Sequence, residues 1–265
     1  MINLAIAGAS GRMGRAIIRQ SAETTGVKVT AAMERTGSPN LGQDAGLCAG
    51  IEEIGVKIAD TLDLQGFDVM LDFTTPKATM EHAKLCSNSG RALMTGTTGL
   101  TSEQKQQLQE IAKDIPVVLA ANTSVGINLC VALLEIASRV IGDVTDIEVI
   151  EAHHRHKVDA PSGTALLLGE TVANALGKSL PEDGVFCREG HTGERPTGSI
   201  GFSAIRGGDI AGEHTVMFIG ESERVEITHR ATDRRIFAQG ALRAAQWLVT
   251  QRAGFYTMQD VLGLR

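Results

Sequence analysis

The chain has 265 residues and a formal net charge of -6; 43% of it is apolar, 21% charged and 3% aromatic. That length suffices for one large domain or two smaller ones, and the apolar share is enough for a core, which excludes a disordered chain. Net acidity excludes a broad nucleic-acid surface, and so few aromatic rings leave little for base stacking.

Cys48, Cys86, Cys130 and Cys187 are scattered and form no C-x-x-C pair, which points to a reducing compartment without a disulfide framework. No uninterrupted apolar stretch reads as a bilayer span: the richest, 127–141, is broken by Glu135 and Arg139. The N-terminus opens on a strand pattern rather than a signal-peptide layout. The expectation is a cytoplasmic protein with no membrane partner.

Residues 2–8 are a short apolar run ending in glycine, a buried parallel strand. Helical spacing over 12–24 follows, then a strand at 27–33. Residues 36–55 are polar and Gly-rich and read as an irregular loop. Strands are predicted at 67–73, 92–96 and 117–121, and helices at 76–89, with Pro76 in the first turn, and at 101–113, capped by Thr101 or Ser102. Strands alternating with helices imply an α/β fold: a parallel sheet wound on both faces, Rossmann-like. The strand ends carry small polar groups, at Gly8-Ala9-Ser10-Gly11, Thr74-Thr75-Pro76, Gly96-Thr97-Thr98-Gly99 and Asn122-Thr123-Ser124, the expected rim of a cofactor cleft.

After Val125 the character changes. A helix at 129–141 and a strand at 146–152 lead into a cationic cluster; 162–176 is a helix and 180–196 a long loop. Strands at 199–206, 213–219 and 224–230, separated by Gly-containing turns, form a second, mostly non-crossover sheet. A helix at 236–249 returns to the first region. The expected division is a dinucleotide-binding domain, 1–124 plus 234–265, and a smaller α+β substrate-binding and oligomerisation domain with an open mixed sheet, 125–233.

Gly8-Ala9-Ser10-Gly11-Arg12-Met13-Gly14 follows the first strand and opens the first helix, spaced G-x-x-G-x-x-G rather than G-x-G-x-x-G. Gly8 permits the tight turn, Gly11 lets backbone approach a pyrophosphate, and Gly14 lets helix and strand pack closely. Alone the pattern is weak, since any strand-to-helix turn favours Gly; at the start of an alternating α/β pattern it is strong. Glu34 ends the second strand, where an acidic residue binds ribose hydroxyls, and Arg35 beside it can neutralise a 2′-phosphate.

His153-His154-Arg155-His156-Lys157 puts five cationic or titratable residues together in an acidic chain, and Ser162-Gly163-Thr164 then open a helix. One segment thus offers proton donors, positive charge and a helix N-terminus that favours anions. Strand alternation would set His153, Arg155 and Lys157 on one face. Zinc is the competing reading for three histidines, but Arg155 and Lys157 would repel the ion and no cysteine pair helps, so no metal is expected.

These motifs, with Asp72-Phe73-Thr74, Gly96-Thr97-Thr98-Gly99, Ala121-Asn122-Thr123-Ser124 and Glu151-Ala152-His153-His154-Arg155-His156-Lys157, resemble the 4-hydroxy-tetrahydrodipicolinate reductase (dihydrodipicolinate reductase) family over essentially the whole chain. The resemblance implies NADH- or NADPH-dependent reduction of a small cyclic dicarboxylate imine, with loss of its 4-hydroxyl as water, in the diaminopimelate route to lysine. It also implies a homotetramer built through the second sheet. Carried over by motif, His153 and Lys157 are the acid–base pair, His154 touches substrate, and Gly163 and Thr164 hold a carboxylate. Gly8, Ala9, Ser10, Gly11, Arg12, Met13, Glu34, Arg35, Gly96, Thr97, Thr98, Ala120, Ala121, Asn122 and Thr123 bind cofactor. Thr123 stands where many members have Phe, and Thr75 where some have Arg. The competing readings are a related two-domain dehydrogenase and a non-catalytic NADP-sensing protein; neither accounts for the His-rich cluster.

Overall fold

The structure is a computed structural model and describes residues 1–264. It divides into two compact units, Met1–Val125 with Arg235–Arg265, and Gly126–Arg234.

The first unit begins with β1 (Ile2–Ala7), α1 (Arg12–Ala22), β2 (Val27–Met33), α2 (Ala45–Ala49), β3 (Ile58–Ala59), β4 (Val69–Asp72), α3 (Pro76–Ser89), β5 (Ala92–Thr95), α4 (Ser102–Ile111) and β6 (Pro116–Leu119). The second unit carries most of α5 (Val125–Ile141), a 3-10 turn at Gly142–Val144, β7 (Asp146–His153), α6 (Gly163–Ala175), α7 (Leu180–Asp183), β8 (Gly184–Val185), β9 (Ile200–Arg206), β10 (Gly212–Ile219) and β11 (Arg224–Ala231). The chain then returns to the first unit with α8 (Arg235–Leu248), β12 (Gly254–Tyr256) and α9 (Met258–Leu262).

Seven parallel strands in the order β12-β6-β5-β4-β1-β2-β3 make the first sheet. Strand alternation sorts their side chains between two cores. Leu4, Ile6, Val69, Leu71 and Met94 join Ile17 of α1 and Ala241 and Leu242 of α8 on one face. Ala5, Ala7, Met70 and Leu93 join Ala83 of α3 and Leu108 of α4 on the other. This is the doubly wound α/β architecture expected. The chain leaves β1 toward β2 in one direction and toward β4 in the other, so the switch point, where such sheets bind ligands, lies at the ends of β1 and β4. α3 matches its expected bounds because its punctuation is complete: the Thr75 side chain caps Ala78 N–H, Pro76 opens the helix, and Gly90 closes it with φ +66°.

The second sheet is mixed, in the order β11-β10-β7-β9-β8. β10 is antiparallel to β7 and β11, whereas β7, β9 and β8 run parallel. The expectation of a mostly non-crossover sheet is corrected here: after β7 the chain crosses through α6 and α7 to β8 and then enters β9, the strand that lies parallel between β7 and β8. Val131 and Leu134 of α5 and Leu168 and Val172 of α6 cover one face, against Ile147, Val149, Ile200, Phe202, Val216 and Phe218. Ile205 and Val225 on the sheet remain exposed.

Four further expectations change. The passage 36–55 is not wholly irregular: Asp44 accepts hydrogen bonds from the backbone N–H groups of Gly46, Leu47, Ile54 and Val56 and starts α2. The stretch 180–196 holds α7 and β8 before its irregular part. β3, β12 and α9 had no sequence counterpart. Finally, Val125–Val144 is long and apolar enough to cross a membrane by length and composition; its inward stripe of Cys130, Val131 and Leu134 makes it the core helix of the second unit.

Candidate active site

In the first unit the expected cofactor residues lie at the C-terminal ends of β1, β2, β5 and β6, strands of one parallel sheet in which β4 separates β1 from β5, with Arg12 and Met13 in the first turn of α1. The loop after β1 is tied down by its own backbone. Gly8 and Ala9 N–H both donate to Met33 O at 3.0 Å, and Gly11 N–H donates to Gly8 O at 2.9 Å. Gly8 has φ +73°, and a Cβ there would lie 3.0 Å from Thr74 Cγ2. A Cβ on Gly14 would lie 2.2 Å from Gly8 O, so this glycine is what lets α1 pass under the loop. Gly11 is the N-cap of α1 and offers no side chain to its first N–H groups, where Arg12 and Met13 begin the helix. The cradle therefore fits an anionic diphosphate.

Glu34, at the end of β2, accepts hydrogen bonds from Ser10 N–H (3.0 Å) and Ser10 Oγ (2.6 Å). The carboxylate is thereby pinned against the Gly-rich loop, while Arg35 is exposed beside it. Asp72 accepts from Thr74 Oγ1 at 2.6 Å, and Thr74 N–H donates to Thr97 Oγ1. Thr97 also receives Thr79 Oγ1. Its side chain is thus used inside the fold and only its backbone is left for a ligand, whereas Thr98 is exposed. A Cβ on Gly96 would overlap the Phe73 ring at 2.1 Å, which makes Phe73 a rim residue that the expected set omitted. Thr123 is 2% exposed and donates to Phe237 O at 2.7 Å. It stacks on nothing, and with Ala120, Ala121 and Asn122 it shapes the end of β6.

In the second unit β7 stops at His153. His154 N–H donates to Ile210 O, Arg155 N–H to Gly208 O and Lys157 N–H to His154 O, so the chain turns. The expected single face for His153, Arg155 and Lys157 is therefore corrected: strand alternation ends at His153, and Arg155 is exposed. His153 Nδ1 lies 2.6 Å from Glu151 Oε2. Glu151, 1% exposed, takes a two-pronged guanidinium from Arg206, at 2.6 and 2.8 Å, and Ser162 N–H at 3.1 Å. Burial opposes its charge, but hydrogen bonds and charge from Arg206 and His153 outweigh that and hold the carboxyl below its usual range.

Ser162 caps α6 through Ala165 N–H, and its Oγ lies 3.0 Å from Nε2 of the buried His214. Burial, then the nearby His153, push the His214 pKa down to about 4, so this ring is neutral. Gly163, in the first turn of α6, is exposed, and a Cβ there would meet nothing within 4 Å. Gly163 and Thr164 form the first turn of α6, the end of a helix that favours an anion. Lys157 Nζ holds both oxygens of Asp159 at 2.7 Å. Arg234, a donor only, bonds His154 Nε2 at 3.1 Å, so that nitrogen carries no proton. Burial and then this guanidinium push the His154 pKa below the ordinary imidazole value. Among the described residues no group of three or more His, Cys, Asp or Glu is arranged to hold a metal.

Sequence reasoning missed Glu151, Arg206 and His214. Their signal was an ionisable residue at an inward-facing strand position, Glu151 beside Val149 and His214 beside Val216. Register supplies the rest: His214 pairs with Glu151 and Arg206 with His153.

Comparison with known proteins finds a family for both halves of the sequence. The N-terminal family model of dihydrodipicolinate reductase matches residues 2–123 and the C-terminal one residues 126–262. A 4-hydroxy-tetrahydrodipicolinate reductase of Acinetobacter baylyi is 58% identical over 98% of this chain and 96% of its own length. One from Nitrosospira multiformis is 54% identical over 100% and 98%. Among solved structures, a dipicolinate-bound dihydrodipicolinate reductase from a Paenisporosarcina species superposes with TM-score 0.76 at 25% identity, covering 98% of each chain. With both halves matched in order and identity above half along nearly the full length, this chain belongs to the dihydrodipicolinate reductase family.

Proposed function

We propose that the chain reduces 4-hydroxy-tetrahydrodipicolinate to tetrahydrodipicolinate with NADH or NADPH, releasing water, in the diaminopimelate route to lysine. The observation that carries this reading is the convergence at the end of β7 of a carboxylate-bound imidazole, His153, with a lysine, Lys157, and the N-terminus of α6, whose cap Ser162 is bonded to the same carboxylate. Dipicolinate bound to the Paenisporosarcina relative supports a small cyclic dicarboxylate as the ligand.

When bound, the reduced nicotinamide supplies the hydride. The loop Gly8, Ala9, Ser10, Gly11, Arg12 and Met13 holds the diphosphate, Glu34 the adenosine ribose, and Arg35 a 2′-phosphate where one is present. Gly96 to Thr98 and Ala120 to Thr123 line the rest of the cofactor. Gly163 and Thr164 hold one substrate carboxylate by backbone N–H, and His154 contacts the ring substituents. Lys157 is held by Asp159 until a substrate carboxylate displaces that partner. His153 and Lys157 supply the proton that leaves with the 4-hydroxyl as water. Residues 1–124 and 234–265 serve the cofactor and 125–233 the substrate. The open face of the second sheet is where four copies assemble, in the cytoplasm, where the cysteines stay reduced. The test is NADH or NADPH absorbance with enzymatically made substrate: turnover is expected, and none with either nicotinamide overturns the reading.

A further inference from the structure

We infer that Glu151 is the positioning residue of this active site: its carboxylate fixes which nitrogen of His153 carries the mobile proton, and Arg206 keeps that carboxylate in place. The inference rests on His153 acting as a proton carrier, as proposed above.

The geometry is that of a histidine oriented by a buried acid. Glu151 Oε2 lies 2.6 Å from His153 Nδ1. A carboxylate only accepts, so Nδ1 must hold a hydrogen and every exchange of a proton falls to Nε2. Nε2 is kept clear from the far side: a Cβ on Gly212 would stand 3.1 Å from it. The other oxygen, Oε1, accepts the backbone N–H of Ser162, the residue that caps α6. One buried group therefore sets both the proton-bearing ring and the start of the anion-binding helix. A lone carboxylate this deep would take up a proton and lose its hold on Nδ1. Arg206 prevents that with two hydrogen bonds to the same carboxylate and a third to Asp159 O. The arrangement is built by sheet register rather than by a loop, since Arg206 sits on β9 directly opposite His153.

A purely structural role and a positioning role differ in what Glu151→Gln does. Glutamine keeps the length, and its oxygen can still receive Ser162 N–H, but the charge is gone. Positioning predicts that kcat falls about 100-fold, with the substrate KM and the dissociation constant for NADH within threefold of wild type. Retention of kcat within threefold overturns the inference. A second arm needs no turnover and leaves Glu151 unchanged. In wild-type protein labelled with 15N, the long-range proton–nitrogen spectrum of His153, assigned by its loss in His153→Asn, should show Nδ1 protonated and Nε2 bare in the neutral ring. A bare Nδ1 overturns the inference. If wild type reduces no substrate, the functional reading fails, and this spectrum still decides the role of Glu151.

Discussion

Acid should weaken this protein in a specific window, and His214 should set it. Its ring is 5% exposed at an inward-facing position of β10, 5.1 Å from His153 and within hydrogen-bond reach of Ser162. Burial, then His153, take its pKa from 6.5 to about 4. In the unfolded chain the same imidazole takes up a proton below pH 6.5. The unfolded state therefore binds more protons between pH 6.5 and 4, and folding weakens as pH falls through that range, then levels off. The gap corresponds to roughly 3 kcal/mol in full, most of it already lost between pH 7 and 4.5. His214→Gln keeps a hydrogen-bonding side chain and does not titrate. Urea unfolding at pH 7 and 4.5, followed by far-UV circular dichroism, gives the comparison. Trp247 and Tyr256, the chain's sole Trp and Tyr, report only on the first unit, so fluorescence is the wrong probe. The paired carboxylates Glu148, Glu151 and Asp159, all held below their usual range, also destabilise the fold in acid, but equally in both proteins. Wild type should lose roughly 2 kcal/mol more than the variant between the two pH values. Equal losses would refute the assignment of a neutral, buried His214.

Three further outcomes follow from the geometry. Gly14→Ala forces a Cβ to within 2.2 Å of Gly8 O and 2.7 Å of Ala9 Cα, both backbone atoms that cannot rotate away. It should cost about 1–3 kcal/mol of stability and at least tenfold in NADH affinity, read by thermal melting and by fluorescence titration; unchanged affinity would count against the diphosphate cradle. Ser162→Ala removes the α6 cap and the hydrogen bond to His214. A loss of about 1 kcal/mol is expected, with the substrate KM raised several-fold and the cofactor dissociation constant steady. Lys157→Ala should lower kcat at least 100-fold while NADH binds within twofold of wild type; a normal rate would remove Lys157 from the chemistry.

The first sheet was legible because its strands are buried on both sides and read as continuous apolar runs, while the helices between them carry complete start and stop signals, as Thr75, Pro76 and Gly90 do for α3. The five-residue α2 was not legible, since a helix shorter than two turns has no period to detect; only Asp44 announces it. β3, β8 and β12 run two or three residues and exist by pairing with longer neighbours. In the site, the local motifs showed themselves, from Gly8 to Gly14 and from His153 to Lys157. The partners that give those residues their chemistry did not, because Arg206 and His214 lie 55 and 63 positions from Glu151 in the chain and meet it only through strand register. The expected single face for His153 and Lys157 failed because backbone pairing with Ile210 and Gly208 ends the strand.

The C-terminal segment has a consequence for biogenesis. Ala238, Ala241, Leu242, Ala245 and Leu248 of α8, with Met258 and Val261 of α9, fill the same apolar cluster as Leu4 and Ile6 of β1. On the ribosome the first strand thus waits for the last helices, while everything needed for the inserted unit has already been translated. The middle of the polypeptide can fold during synthesis, whereas the first unit completes its core only after α8 and α9 have been made.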